Sequence, residues 1–281
     1  MTHHVDANGL RIGYEVHGAG PPLIMLHGAG SSGREDWAAQ VPLFSKAFRL
    51  YIPDARGHAT TRWDVRDGFS FEMLVADLEA FADGLHLETF HVIGFSMGAM
   101  TALTFATRHP ERLRTLVVAG ITADREPRLS VARRLMDPDR RPPDGPLSEA
   151  ALARRHDHVQ GPGAWRNLLA AISSDVASQP LLTPRELRGV ALPAMVAVGD
   201  RDPFAPVDHA WGLMRQLPDA RLLVVPDCPH ELMVRRPGLF NEACGVFYRS
   251  TEQAATRRAV GRGTVDEPLP QVDAAGGGIG V

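Results

Sequence analysis

The sequence is poor in lysine, in cysteine and in long apolar runs, and each shortage excludes a class of protein. Two cysteines, Cys228 and Cys244, are too few for a disulfide framework in a chain of 281 residues. No apolar run approaches the length of about 18 residues that predicts a membrane-spanning helix. Lys46 is the only lysine, and arginine supplies the remaining basic residues, leaving a formal net charge of −3. We therefore expect neither a nucleic-acid partner nor binding to a membrane.

The ends and the composition of the chain indicate an ordinary globular protein. Residues 1–6 lack the basic segment and apolar run of a secretion signal, so we expect a cytoplasmic protein. Hydrophobic residues make up 44% of the chain and charged residues 22%, and the length permits a large core without metals or disulfides. The sequence leaves open whether the protein is a monomer or a homodimer.

Short apolar runs alternate with helical patterns along most of the chain. Continuous apolar runs are typical of parallel strands that are covered on both faces, and the alternation predicts a doubly wound α/β sheet. Asn8-Gly9 lies between two alternating segments and predicts an antiparallel hairpin at the start of the sheet. The clearest predicted strands are residues 22–27, 48–52, 90–94, 115–119, 194–198 and 221–225.

Two segments depart from this alternation. Residues 122–190 contain eight prolines between helical pieces, and we interpret them as an insertion between two strands. The core domain then comprises residues 1–121 and 191–250. Residues 251–281 are polar and glycine-rich towards their end, so we expect a disordered tail.

The pentapeptide Gly94-Phe95-Ser96-Met97-Gly98 follows a predicted strand and precedes a predicted helix. This context is that of a nucleophile elbow, a turn so tight that its flanking positions favour glycine. The turn would raise the Ser96 hydroxyl out of the sheet, next to the N-terminus of a helix that favours negative charge. The pattern predicts that Ser96 is a catalytic nucleophile.

A second glycine-rich loop, His27-Gly28-Ala29-Gly30, follows an earlier predicted strand. Acyl transfer requires two donors that are directed at the oxygen of the tetrahedral intermediate. We expect these donors to be the backbone N–H groups of Ala29 and Met97.

Two acidic candidates and one histidine follow the last two strands. Gly199-Asp200-Arg201-Asp202-Pro203 follows the strand at 194–198, and His230 follows the strand at 221–225. Both loops lie at carboxyl ends of strands, where open α/β sheets place their sites. The order serine, aspartate, histidine predicts a catalytic triad of Ser96, one of these aspartates and His230.

These motifs together resemble the α/β-hydrolase superfamily over residues 1–250. The resemblance also includes Asp54-Ala55-Arg56-Gly57-His58 and His109-Pro110-Glu111-Arg112, although Ala59 stands where the family commonly has glycine. It places the acid directly before Pro203, which favours Asp202 over Asp200. Some relatives carry the acid after an earlier strand, and Asp124 is the candidate at that position.

The resemblance implies a serine hydrolase without cofactor or metal that cleaves a carboxylic ester or lactone of a small, largely apolar substrate. It implies that residues 122–190 form a helical cap, and we expect Phe95 and Trp165 to contact the substrate. Glu231 follows His230 where ring-cleavage C–C hydrolases usually have tryptophan, which favours ester or lactone cleavage. C–C hydrolysis, thioester hydrolysis, a non-hydrolytic natural-product reaction and a receptor that retains the triad remain alternatives.

Several other residues have simpler interpretations. His156 and His158 are too few ligands for a metal site, and in a polar cap we expect them to be solvated. We expect Trp37 and Trp211 to pack between helices and the sheet. Cys228 has no elbow around it, so we interpret it as a packing residue.

Overall fold

A computed structural model describes residues 1–263, which form one twisted sheet with helices on both faces. The sheet order is β1-β2-β4-β3-β5-β6-β7-β8, in which β1–β2 and β2–β4 are antiparallel and all other pairs are parallel. The strands are β1 Thr2–Ala7, β2 Leu10–His17, β3 Pro22–Leu26, β4 Arg49–Pro53, β5 Phe90–Phe95, β6 Leu113–Ala119, β7 Ala194–Gly199 and β8 Ala220–Val225. This arrangement confirms the predicted mostly parallel sheet.

Eleven α-helices occur within the described residues. They are α1 Gly33–Trp37, α2 Val41–Phe44, α3 Phe71–Gly84, α4 Met97–Arg108, α5 Arg128–Leu135, α6 Glu149–Gln160, α7 Trp165–Ser178, α8 Pro184–Gly189, α9 Val207–Gln216, α10 Leu232–Arg235 and α11 Pro237–Gly263. Ser70 caps α3, because its hydroxyl accepts the N–H of Met73 at the start of the helix. Within residues 1–263, no helix combines the length and apolar character that crossing a membrane requires.

The central strands are apolar because both faces of the sheet are covered. Every residue of β5 and of β7 is buried. On one face the core includes side chains of α3, α4 and α9, and on the other it includes side chains of α1, α2, α10 and α11. The expected hairpin is also confirmed: Asn8 and Gly9 have φ of 49° and 75°, as a tight turn between β1 and β2 requires.

Helices α5 to α8 occupy the interval between β6 and β7. Leu129, Leu152 and Leu168 from this interval join a third apolar cluster, which also contains Phe71 and Met97 of the sheet domain. The helices therefore pack against the part of the sheet domain that carries the elbow.

Two expectations from the sequence are wrong. Residues 251–263 continue α11, so this part of the expected tail is helical, whereas residues 264–281 lie outside the described residues. Trp211 on α9 is 50% exposed, with the Arg215 guanidinium over its ring, and does not pack between helix and sheet. Trp37 is fully buried in the core, as expected.

A buried ion pair joins α3 to the loop after β4. Arg56 donates from Nε and Nη2 to the two carboxylate oxygens of Asp77, both at 2.6 Å, and Asn8 donates to the same carboxylate. Both partners of the ion pair are almost fully enclosed. Removing one partner of such a pair leaves an uncompensated buried charge.

Asp77→Ala should therefore lower the free energy of unfolding by about 3–5 kcal/mol, as measured by chemical denaturation. Asp83→Ala is the matched control, because Asp83 lies on the same helix and pairs with Arg112 at an exposed site. The control should change stability by less than about 1 kcal/mol. Equal losses in the two variants would contradict this interpretation of the Arg56–Asp77 pair.

Candidate active site

Ser96 lies in a strained turn between β5 and α4. Its φ of 51° and ψ of −113° are rare for a residue with a side chain. Such a backbone conformation lowers the stability of the folded state by an amount on the order of 1–3 kcal/mol. A Cβ on Gly94 would lie 2.4 Å from the Gly98 carbonyl oxygen, and one on Gly98 would lie 2.5 Å from that of Leu26. No side chain fits at either position, so the elbow depends on both glycines.

His230 bridges Ser96 and Asp202. Its Nε2 lies 2.9 Å from the Ser96 hydroxyl oxygen, and its Nδ1 lies 2.8 Å from a carboxylate oxygen of Asp202. Because a carboxylate accepts the Nδ1 proton, Nε2 is left unprotonated and can accept the serine proton. The three side chains come from loops after β5, β7 and β8.

Asp202 and the histidine ring are both held in place. The second carboxylate oxygen of Asp202 accepts the backbone N–H groups of Phe204 at 2.7 Å and Ala205 at 3.1 Å. The Phe204 ring lies 4.2 Å from the His230 ring, and the Phe95 ring lies 4.8 Å from it. Phe204 was missed in the sequence, where it was one apolar residue in a loop.

The alternative acids lie in other interactions. Asp200 accepts the backbone N–H of Cys228 at 3.0 Å, and these backbone donors lower the pKa of its carboxyl. Asp124 pairs with His209 at 3.2 Å. Neither carboxylate forms a hydrogen bond or ion pair with His230. Cys228 is fully buried, and burial raises the pKa of its thiol.

Ala29 and Met97 line the same cavity as Ser96 and His230. Within the described residues, neither backbone N–H donates a hydrogen bond, so both are available to a substrate oxygen. The residues on either side of Ala29 are fixed, because Gly28 donates its N–H to Asp36 at 2.8 Å and Gly30 donates its N–H to His58 at 3.0 Å.

The cavity above Ser96 has a volume of about 120 Å³ and a mainly apolar wall. Phe95 lines it, whereas Trp165 does not: the indole is 1% exposed and packs within the α5–α8 region under the Arg166 guanidinium. The structure thus corrects the expectation that Trp165 contacts the substrate. Apolar residues of the wall include Phe71, Met100, Ala132, Leu135, Met136 and Val176.

Known proteins share this fold and sequence pattern. Residues 21–152 match the family model described as "alpha/beta hydrolase fold". The chain has the α/β-hydrolase fold. It is an enzyme of the hydrolase class.

Curated relatives of this α/β-hydrolase match over nearly their whole length. A 2-hydroxy-6-oxo-6-phenylhexa-2,4-dienoate hydrolase of Comamonas testosteroni is 26% identical, with 87% of this chain and 93% of the relative covered. A 2-hydroxymuconate semialdehyde hydrolase of Pseudomonas sp. (strain CF600) is 27% identical, covering 91% and 96%. The crystal structure of the enol-lactonase from Burkholderia xenovorans LB400 superposes with a TM-score of 0.70 at 24% identity, covering 88% of this chain and all of that one.

Behind the Ala29 loop, this α/β-hydrolase contains a second group of histidines that sequence reasoning missed. His156 of α6 is fully buried: its Nδ1 accepts the N–H of Ala59 at 3.0 Å, and its Nε2 faces the carbonyl of Gly30 at 3.2 Å. The expectation of a solvated His156 is wrong. Its partners lie about 100 residues away in sequence, so no local pattern could have revealed the contact.

These contacts require neutral rings. His58 accepts the Gly30 N–H on Nε2, so its Nδ1 proton is directed at the carbonyl of Arg56. Burial, together with neighbouring histidines, holds the pKa of His58 well below its ordinary value. Burial lowers the pKa of His156 to about 3. Protonation of either acceptor nitrogen would break a hydrogen bond that holds the loop.

The network predicts that acid destabilises the protein through His156. Between pH 6.5 and about 3 the unfolded chain binds a proton at this position and the folded chain does not, so stability falls as the pH falls. The expected contribution is about 1.4 kcal/mol per pH unit. Urea unfolding at pH 7.5, 6.5, 5.5 and 4.5 should show a shallower decline for His156→Gln than for the wild type.

Subtraction of the two profiles isolates His156 from groups that titrate in the same range. Asp175 is one such group, since burial raises its pKa to about 6 and it acts in the opposite direction. His4→Gln is the control, because His4 is exposed on β1. Parallel profiles for wild type and His156→Gln would contradict the prediction.

Proposed function

We propose that this enzyme is a serine hydrolase that cleaves a carboxylic ester or lactone of a small, largely apolar molecule through an acyl-enzyme on Ser96. The observation that carries the proposal is the hydrogen-bonded chain from the Ser96 hydroxyl through His230 to Asp202, at 2.9 and 2.8 Å. This chain opens into a mainly apolar cavity, and oriented donors are most effective in surroundings that exclude water.

The mechanism follows from the positions of the protons. His230 Nε2 takes the Ser96 proton as the serine oxygen attacks the substrate carbonyl carbon. The N–H groups of Ala29 and Met97 donate to the resulting oxyanion, and Asp202 stabilises the imidazolium. His230 then returns the proton to the leaving oxygen, the tetrahedral intermediate collapses, and the alcohol departs. In the second half, His230 removes a proton from water, which attacks the acyl carbon. His230 then returns this proton to the Ser96 oxygen as the second tetrahedral intermediate collapses and the acid departs.

We propose that helices α5 to α8 form a cap over the cavity. They contribute Arg128, Ala132, Leu135 and Val176 to the wall of the cavity. We infer that this cap selects the substrate, because its side chains form the wall of the cavity opposite the sheet domain.

Hydrolysis of a carbon–carbon bond is the second candidate. The curated relatives reported above carry the names of dienoate and semialdehyde hydrolases, and they match this chain over more than 85% of its length. Glu231 follows His230 where ring-cleavage C–C hydrolases usually have tryptophan, and this favours the ester or lactone reaction. Parallel assays with simple esters, lactones and a ring-cleavage dienoate would rank the two reactions.

The nucleophile is tested by Ser96→Ala. The variant should lower kcat for a chromogenic ester by about 10⁴- to 10⁶-fold, since the other members of a triad contribute little without their nucleophile. Fluorophosphonate should label the wild type at Ser96 only, as read by peptide mass spectrometry. Labelling of another residue with Ser96 unmodified would refute the assignment.

The acid is tested by three matched asparagine variants. Asp202→Asn should lower kcat by about 10⁴-fold, because the amide favours the wrong tautomer of His230. Asp200→Asn and Asp124→Asn remove the same charge from neighbouring loops and should retain most of the activity. If Asp124→Asn caused the larger loss, Asp124 and not Asp202 would orient His230.

A further inference from the structure

The described residues contain three buried arginines, and one of them lacks an anionic partner. Arg56 pairs with Asp77, and Arg155 pairs with Glu35. Arg128, on the first turn of α5, is 9% exposed, yet no carboxylate of residues 1–263 lies within 4 Å of its guanidinium. Burial of a charge without an ion pair lowers the stability of a protein. We therefore expect Arg128 to bind an anion that is not part of residues 1–263.

The hydrogen bonds of Arg128 are also incomplete. Nη1 donates to the side-chain carbonyl of Gln179 at 2.8 Å. Nε is buried and has no partner, and Nη2 makes no hydrogen bond to any residue of 1–263. Nε and Nη2 form one side of the planar guanidinium fork, which is the side that binds a carboxylate through two parallel hydrogen bonds.

Arg155 provides the comparison within the same cavity wall. Both arginines line the cavity that contains Ser96. Arg155 donates to Glu35 and to the carbonyl oxygens of Gly30 and Pro146, so its donors are used in holding α6 to the sheet domain. Arg128 has no such structural use for Nε and Nη2.

The acidic groups that line the cavity do not pair with Arg128. Asp175 attracts the guanidinium from beyond 4 Å, but burial outweighs this attraction and lowers the pKa of Arg128. Asp36 accepts the Ser31 hydroxyl and the Gly28 N–H with its two oxygens. Glu231 lies within 4 Å of Arg235. The remaining wall around Arg128 is apolar, with Ala132, Leu135 and Val176 among its members.

We propose that Arg128 binds a carboxylate of the substrate, so that the enzyme acts on molecules with an apolar body, a scissile carbonyl at Ser96 and a free carboxylate at Arg128. This inference deepens the proposed function and rests on it for the identity of the cavity as the substrate site. It adds a charged group to the small, largely apolar substrate that the sequence predicts, because the apolar wall contains one cation without an ion pair.

Ligand binding tests the proposal without turnover. The probes are 3-phenylpropionate, 4-phenylbutyrate and 5-phenylvalerate, each compared with its primary amide by calorimetry on the wild-type enzyme. At least one carboxylate should bind 10-fold or more tightly than its amide. Arg128→Met, which keeps the length of the side chain, should abolish this preference, and Arg128→Lys should retain part of it.

Arg133→Met is the matched control. Arg133 is exposed on the same helix, so the variant changes the net charge equally without altering the cavity. It should keep the full carboxylate preference. Absence of a preference in the wild type, or an equal loss of preference in both methionine variants, would overturn the proposal.

Thermal unfolding separates ligand binding from a structural role. Arg128→Met should have a Tm equal to or above that of the wild type, because it removes a buried charge that no carboxylate of residues 1–263 pairs with within 4 Å. Arg155→Met should lower the Tm, because it breaks the pair with Glu35. A decrease for Arg128→Met as large as that for Arg155→Met, or failure of Arg128→Met to fold, would assign Arg128 a structural role and overturn the proposal.

Fluorophosphonate labelling distinguishes the two proposals. Labelling at Ser96 without a carboxylate preference would reject the role of Arg128 and leave the serine hydrolase intact. A carboxylate preference that depends on Arg128, without labelling or ester turnover, would reject the serine mechanism and leave the carboxylate site.

Discussion

The contact between the N-terminus of α4 and the end of β3 is the constraint on which the site depends. Gly98 donates its N–H to the carbonyl of His27 at 3.1 Å, and no side chain at position 98 would permit that approach. This hydrogen bond joins the turn that carries Ser96 to the loop that carries Ala29. The spacing of Ser96 and the backbone N–H groups of Ala29 and Met97 therefore follows from one close approach of two backbones, and the strain at Ser96 is the cost of that geometry.

The same loop connects the sheet domain to the inserted helices. Gly30 is held by His58 through its N–H and by His156 through its carbonyl, and Arg155 donates to the same carbonyl oxygen. Asp175 of α7 accepts the N–H of Phe71 at the start of α3. The inserted helices are thus attached by polar contacts that reach the backbone next to Ala29, in addition to the apolar cluster around Leu152 and Leu168.

The parts of the site that the sequence predicted are those with local signals. Ser96 lies between glycines whose spacing reflects a backbone contact, and Asp202 and His230 follow apolar strands in a recognisable order. Arg128 and His156 lack such a signal, because their burial depends on how α5 and α6 pack against loops far away in the sequence. Trp165 illustrates the same limit: an aromatic residue in this segment can face the cavity or the interior of the helical layer, and only the packing decides.

The contact from His156 to the backbone beside Ala29 has a consequence for protein engineering. Exchange of cap segments between homologous enzymes is a direct way to alter a substrate range, since the cap and the core are separate stretches of sequence. In this protein, a transplanted cap without an equivalent of His156 would leave the N–H of Ala59 and the carbonyl of Gly30 without that partner. Chimeras should therefore be built with position 156 inherited together with residues 27–30 and 58–59, as a single module that crosses the boundary between cap and core.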